Sequence, residues 1–170
     1  MQKLFWLSFF LLFAPTATAQ IVDVQFSETF QEKLQDTYGL REGEYLSREI
    51  IEDIQKTLKR ANLEVRRVEV TIEDAKPNRP TLRQLERNPT IDSNRSFGLG
   101  GMRLTGIAYD ADNNPIGEAI TYEWYERDLR NVVGFATWTD AHRASNRFSR
   151  RLAKKVRTAL MIVEEAPAQR

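Results

Sequence analysis

Apolar and polar residues alternate along four stretches of the chain, and alternation of this kind predicts β-strands with one buried face. The four stretches are Ile21 to Phe26, Leu63 to Ala75, Gly101 to Tyr109 and Ile116 to Glu126. In the second stretch the apolar positions change parity between Val65 and Val68. One face can stay buried throughout only if the strand contains a bulge, which we place near Arg66 and Arg67.

Apolar residues at spacings of three and four predict two long amphipathic helices. The first covers Tyr45 to Ala61, with acidic residues early and basic residues late, an order that suits the helix dipole. The second begins at Thr139 or Asp140, either of which is a suitable cap, and continues to Val163. We expect both helices to pack through their apolar stripes.

Two shorter helices are predicted from capping signals. Thr29 and Glu32 form one capping pattern, and Thr81 and Gln84 form another. Between the fourth strand and the last helix, Asn131 to Trp138 predicts a short extended segment.

The order of these elements is strand, helix, strand, long loop, strand, strand, helix, and it predicts a single α+β domain. We expect a mostly antiparallel sheet of about four strands, with the two main helices packed on one of its faces. The domain covers residues 20–163. Residues 164–170 show no periodicity, so we expect a disordered tail there.

The first 19 residues have the composition of a secretory signal peptide. Lys3 supplies a positive charge, an apolar run follows from Leu4 to Phe13, and Ala17 and Ala19 form a small-residue cleavage site. A run of about ten apolar residues is too short to span a membrane, which needs about 20. We therefore expect export across the inner membrane, cleavage before Gln20 and a periplasmic mature chain.

The composition excludes several chemistries. The chain has no cysteine, which rules out a disulfide framework, a thiolate metal ligand and a cysteine nucleophile. His142 is the single histidine, so a zinc site with two or three histidines is also excluded. We expect no metal and no cofactor. A hydrolase that uses His142 with Asp140 stays an alternative, because a catalytic triad needs no fixed sequence motif.

The segment from Ser96 to Gly101 concentrates three of the eight glycines of the chain. A dinucleotide-binding pattern counted from Gly98 would need glycine where the chain has Arg103, and it should open a helix. Gly98, Gly100 and Gly101 precede a strand instead. Their absent side chains indicate a bulge or a close approach to another element, with an anion-binding nest of backbone amides as the alternative.

Two sets of basic residues are candidate binding surfaces. The long loop from Lys76 to Phe97 carries Arg79 and Arg83, followed by Arg87 and Arg95. On the last helix, basic residues recur at spacings of four, three, four and three, which draws a ridge opposite the apolar stripe. The ridge consists of Arg143, Arg147, Arg150, Lys154 and Arg157. Charged residues on an outward helix face either interact only with water or form a contact surface for an acidic partner.

Three segments carry a resemblance to a known group of proteins. These are Pro77 to Thr81, Ser96 to Gly101 and Thr137 to Ala141. Together they resemble uncharacterised proteobacterial envelope proteins, many of which look like lipoproteins with a glycine-rich turn before a strand and a closing helix. The resemblance implies an envelope location and no assigned activity. This chain departs from the lipoprotein pattern because it has no cysteine to carry a lipid.

These observations favour a non-enzymatic periplasmic module that binds a protein partner or an anionic envelope component. The partner surface would be the arginine-bearing loop, the basic ridge or both, and peripheral membrane contact is compatible with it. Nucleic acid fits poorly, because the chain is exported and because loss of Lys3 leaves as many basic as acidic residues. A structural subunit of an oligomer is a further alternative, and the sequence does not set the oligomeric state.

Overall fold

The computed structural model describes residues 20–92, 95–131 and 136–165. Within these ranges the chain forms one four-stranded sheet and four α-helices, which confirms the single-domain α+β fold. The strands are β1 (Ile21–Phe26), β2 (Arg67–Lys76), β3 (Gly101–Tyr109) and β4 (Ile120–Tyr125). The first and third strands have their predicted bounds, while β2 and β4 are shorter than predicted. The predicted signal peptide lies outside the described residues.

The strands lie in the order β1-β2-β3-β4. β1 pairs with β2 in parallel, and the two other pairings are antiparallel. The sheet is therefore mixed but mostly antiparallel, as the sequence predicts. β1 and β4 are its two edge strands.

The helices are α1 (Glu28–Lys33), α2 (Leu40–Arg60), α3 (Leu82–Arg87) and α4 (Thr139–Glu165). A π-helical turn, Leu34–Tyr38, joins α1 to α2, and a 3₁₀ turn, Leu129–Asn131, follows β4. α2 begins five residues before its predicted start. α4 ends at Glu165, two residues inside the segment expected to be an irregular tail, and residues 166–170 lie outside the described part.

The prediction of a bulge near Arg66 and Arg67 was wrong, although β2 contains a bulge elsewhere. The chain before Arg67 is not part of the strand, so the parity change at Val65 requires no bulge. The pairing of β2 with β3 shifts between Ile72 and Asp74 instead. The extra residue, Glu73, allows Ile72 and Ala75 to be buried on the same face although their spacing is odd.

The predicted caps of two helices also needed correction. Ser27, and not Thr29, caps α1: the Ser27 hydroxyl accepts a hydrogen bond from the Phe30 amide at 3.2 Å. Thr139 and Asp140 are the first two residues of α4 rather than residues before it. The capping box of α3 is confirmed, with Thr81 bonded to Gln84 in both directions. The expected extended segment falls largely on residues 132–135, which are not described, and residues 136–138 form a turn.

The core lies between one face of the sheet and the two long helices. α4 packs against β3, β4 and α2, while α2 also contacts β1. The buried side chains of α2 and α4 include Ile50, Ile54, Phe148 and Leu152. The opposite face of the sheet carries a row of partly or fully exposed threonines, Thr71, Thr105 and Thr121, at paired positions. One covered and one solvated face is the arrangement expected of such a sheet.

Candidate functional site

Two of the three glycines around the start of β3 are required by close contacts. A Cβ on Gly100 would lie 2.5 Å from Oδ1 of Asn78, and a Cβ on Gly101 would lie 2.3 Å from the carbonyl oxygen of Trp124. Nothing lies within 4 Å of the same position on Gly98. The prediction of a close approach is confirmed for Gly100 and Gly101 but not for Gly98.

The partner of Gly100 belongs to a buried polar network at the start of α4. Asn78 and Asp140 are 1% and 0% exposed. The amide of Asp140 donates to Oδ1 of Asn78 at 2.8 Å, and Nδ2 of Asn78 donates to the Asp140 carboxylate. The amide of Gly100 donates to the same carboxylate at 3.3 Å. Asn78 therefore caps α4 from a distant part of the chain, and the buried carboxylate has several donors.

This network answers the question of an anion nest. The amide of Gly98 donates to the carbonyl oxygen of Asn78 at 2.8 Å, and that of Gly100 donates to Asp140. Both amides are therefore used inside the protein. The anion held beside this glycine segment is the carboxylate of Asp140 itself.

Arg79 and Gly98 are brought together at a surface cavity of about 250 Å³ between the long loop and the turn before α2. Arg79 is half-buried, and the cavity is also lined by Tyr38, Gln84 and Phe97. Phe97 is 57% exposed. One arginine and two aromatic residues therefore line the same cavity.

Two of the other loop arginines contact the turn before α2, which also borders this cavity. Arg83 lies over Gly39, where an added Cβ would meet its side chain at 3.6 Å. Arg87 donates to the backbone carbonyl of Asp36, and the side chain of Arg95 is 90% exposed. Arg79, Arg83 and Arg87 therefore all lie beside residues 36–39.

Four of the five residues of the predicted ridge on α4 are exposed, and the first residue is not. Arg147, Arg150, Lys154 and Arg157 are exposed. Arg143 is half-buried, and its guanidinium lies 3.2 Å from Oδ1 of Asp140. Arg143 therefore belongs to the capping network, and the available ridge begins at Arg147.

Two arginines of α4 lie over aromatic rings of β4. The guanidinium of Arg147 is 4.4 Å from the ring centroid of Trp124, and that of Arg151 is 4.5 Å from the ring centroid of Tyr122. Cation–π contacts of this kind hold the long side chains in place while the charge stays accessible to solvent. Tyr122 is buried in the core and Trp124 packs against it, and each ring also supports an arginine.

Sequence reasoning missed Arg151 and Lys155, because the helical spacing assigns them to the flank of the ridge. In the structure they line a groove of about 530 Å³ between β4 and α4, together with Lys154 and Thr158. The signal was present in the sequence as two further basic positions on α4. The sequence does not show that β4 lies beside this flank of α4, and the groove forms between the two elements.

A second groove, of about 350 Å³, separates α4 from α2 on the other flank. It is lined by Lys56, Arg60 and Arg150, with Asp53 beneath them. Burial raises the pKa of the Asp53 carboxyl, while the hydrogen bond from Ser145 at 2.7 Å acts in the opposite direction. Both flanks of the ridge are therefore predominantly basic.

His142 and Asp140 do not form a catalytic pair. The Asp140 carboxylate faces Asn78 and Gly100, whereas Nδ1 of His142 lies 3.9 Å from Oε2 of Glu49 on α2. Residues two apart in a helix point about 200° apart around its axis, which separates the two side chains. The structure therefore does not bring His142 and Asp140 together as a base and its orienting carboxylate.

Two further features are absent from the described residues. No group of three or more histidines, aspartates and glutamates is arranged to hold a metal ion in the part of the chain that is described. None of the described helices combines the length and apolar character that a membrane span requires.

No protein-family model matches the chain, and no curated protein matches it significantly. The resemblance to envelope proteins stays a prediction.

Proposed function

We propose that the protein is an exported, non-enzymatic binding module, and that it contacts an acidic protein or an anionic envelope component through the outward surface of α4. The observation that carries the proposal is the uncompensated charge of that surface. Among the described residues, none of its exposed cations forms an ion pair with a carboxylate. These cations are Arg147, Arg150, Arg151, Lys154, Lys155 and Arg157.

The charge distribution supports a directed contact rather than general solubility. The whole chain is close to neutral, with 25 basic and 24 acidic residues, so this concentration of cations is not a consequence of composition. Complementary charge across an interface steers association and sets its orientation. Arg147 and Arg151 are also ordered by their aromatic neighbours, which lowers the entropy lost on binding.

The experiment that tests the proposal is charge reversal at two exposed ridge positions, Arg150→Glu with Lys154→Glu. Neither residue has a described ion pair, so stability should change little, within about 0.5 kcal/mol. The matched control is Arg41→Glu with Lys59→Glu, which makes the same change in net charge at exposed positions of α2. Arg143 is a poor choice because its loss would also disturb the carboxylate of Asp140.

The readout is in-cell crosslinking of the mature chain, with the crosslinked residues mapped by mass spectrometry. We expect crosslinks on α4 that the ridge variant loses and the α2 control keeps. If crosslinks on α4 persist in the ridge variant, or if both variants lose them equally, the surface of α4 is not the binding surface and the proposal fails.

A further inference from the structure

The groove between α4 and β4 lies beside an edge strand of the described sheet. β4 is the last strand in the sheet order, and its described hydrogen-bonded neighbour is β3. An edge strand presents backbone N–H and C=O groups that can pair with another extended chain. The groove begins at this edge, where it is lined by Ala119, Ile120 and Thr121.

The wall opposite the strand is cationic. Arg151, Lys154 and Lys155 line the groove from α4, and no described carboxylate forms an ion pair with any of them. Arg151 is held in position over the ring of Tyr122. A segment that entered the groove would meet apolar side chains and backbone on one side and three positive charges on the other.

The spacing of α4 matches the spacing of an adjacent strand. Arg147 lies over Trp124 and Arg151 lies over Tyr122, so a step of four residues along α4 corresponds to a step of two along β4, in the opposite direction. Four helical residues rise about 6 Å and two strand residues about 6.6 Å. The next step places Lys155 beside Ile120, at the groove.

We propose that the groove binds an extended acidic segment of a partner protein, which pairs with β4 as a fifth strand. Alternate residues of a strand point to the same side of the sheet, so acidic residues at every second position would face α4 together. Their separation matches that of Arg151 and Lys155. The intervening residues would continue the open face of the sheet, next to Thr121. This inference rests on the proposed function and names the partner class of the same surface.

The test uses the mature chain and a synthetic peptide of about eight residues in which glutamate and threonine alternate. Binding is measured by titration, and hydrogen–deuterium exchange reports on the amides of β4. We expect the peptide to bind and to slow exchange across Ile120–Tyr125. Methylation of alternate backbone nitrogens of the peptide should abolish binding, because strand pairing needs those N–H groups.

Two matched protein variants separate groove recognition from general electrostatic attraction. Arg151→Glu with Lys155→Glu changes the groove, while Arg41→Glu with Lys59→Glu makes the same charge change at exposed positions of α2, outside the proposed binding surface. The groove pair removes one described side-chain contact, that of Arg151 with Tyr122. We expect the groove variant to bind the alternating peptide about tenfold more weakly and the α2 variant to lose less than about threefold.

The other possible outcomes would overturn the strand-pairing inference, and one of them would also overturn the proposed function. Equal losses in both variants, or equal binding of the methylated peptide, would show diffuse attraction and overturn the strand-pairing inference. Binding only to vesicles of phosphatidylglycerol and phosphatidylcholine in about equal parts, weakened by the ridge variant, would overturn the inference and leave the proposed function standing. Absence of binding to both probes, together with no crosslinks on α4 in cells, would overturn both.

Discussion

At the scale of single residues, the contact between Gly100 and Asn78 shows why this position has no side chain. The amide group of Asn78 occupies the space that a Cβ would need, and it is fixed by its bonds to Asp140. Substitution of Gly100 would therefore have to displace a buried hydrogen-bond network and not a flexible side chain.

We predict that Gly100→Ala lowers the free energy of unfolding by about 1–3 kcal/mol. The added methyl group would lie 2.5 Å from Oδ1 of Asn78. The matched control is Gly98→Ala, two residues away, where the space is open and the change should stay within about 0.5 kcal/mol. Urea unfolding of the two variants measures both values, and equal losses would mean that the contact with Asn78 is not the reason for Gly100.

A second prediction concerns the carboxyl group of Asp53 in the groove beside α2. Burial raises the pKa of Asp53 above its ordinary value of 3.8, so the folded chain holds this proton more tightly than the unfolded chain. Stability contributed by the protonated form is complete below about pH 3.8 and is lost as the pH rises through the raised pKa. Asp53→Asn keeps an acceptor for the Ser145 hydroxyl and has no charge to desolvate. Relative to the parent protein, it should therefore become more stable as the pH rises through this range.

The measurement is urea unfolding of both proteins at a series of pH values from acid to neutral. Ser145→Ala provides the opposite variant, because it removes the hydrogen bond that lowers the pKa of Asp53. The free energy of unfolding of Ser145→Ala should depend more steeply on pH than that of the parent protein. His142, Lys56 and Glu52 also act on Asp53 and are unchanged in both variants. A difference between Asp53→Asn and the parent that is independent of pH would refute the assignment.

The residue scale is where sequence reasoning reached least far. The importance of Gly100 and Gly101 could be predicted, because three glycines before a strand signal a close approach. The identity of the neighbour could not, since Asn78 and Asp140 are separated by 62 positions in the chain and neither has an unusual sequence context. Arg143 and Arg147 look equivalent by helical spacing, yet one completes a buried network and the other lies over an indole ring.

At the scale of elements, periodicity identified every strand and both long helices, because burial of one face imposes a repeat that the sequence displays directly. The ends were less predictable. The start of α1 depends on whether the hydroxyl of Ser27 or that of Thr29 accepts a hydrogen bond from a free amide of the first turn. Ser27 also donates to the carbonyl oxygen of Glu73 at 2.7 Å, a tertiary contact that no local pattern reveals.

We predict that Ser27→Ala lowers the free energy of unfolding by about 1 kcal/mol, as is typical for loss of a helix cap. Thr29→Ala should change it by less than about 0.5 kcal/mol, because Thr29 is exposed and lies inside α1. Thermal or urea unfolding of the two variants compares them directly. A larger loss of stability in Thr29→Ala than in Ser27→Ala would mean that Thr29 caps α1, as the sequence predicts.

At the scale of the whole molecule, the chain before β1 is hydrogen-bonded to the chain before β2. Gln20 donates to the carbonyl oxygen of Val65 at 3.3 Å, and β1 starts at the next residue. The architecture could be predicted from the sequence because it follows from the order and type of the elements. The groove beside β4 could not be predicted, because its existence depends on which strand lies at the edge of the sheet and beside α4.

We predict that the protein recovered from the envelope of an exporting bacterium begins at Gln20. The small residues Ala17 and Ala19 suit the specificity of the processing enzyme. Mass spectrometry of the purified chain measures its N-terminus. As a control, Ala19→Arg should block processing and leave Met1 in place. Recovery of the unprocessed chain from cells that carry the original sequence would contradict both export and the proposed envelope function.

The cap that Asn78 supplies to α4 has a consequence for the order of folding. A cap from a neighbouring residue can form as soon as a helix starts, but this one requires closure of a loop of 62 positions and the prior placement of the end of β2. The first turn of α4 should therefore become ordered late, after the turns that pack on β3. Interactions that form after the rate-limiting barrier slow unfolding without accelerating folding. On this basis Asn78 contributes chiefly to the lifetime of the native state, and its loss should shorten that lifetime while the refolding rate stays the same.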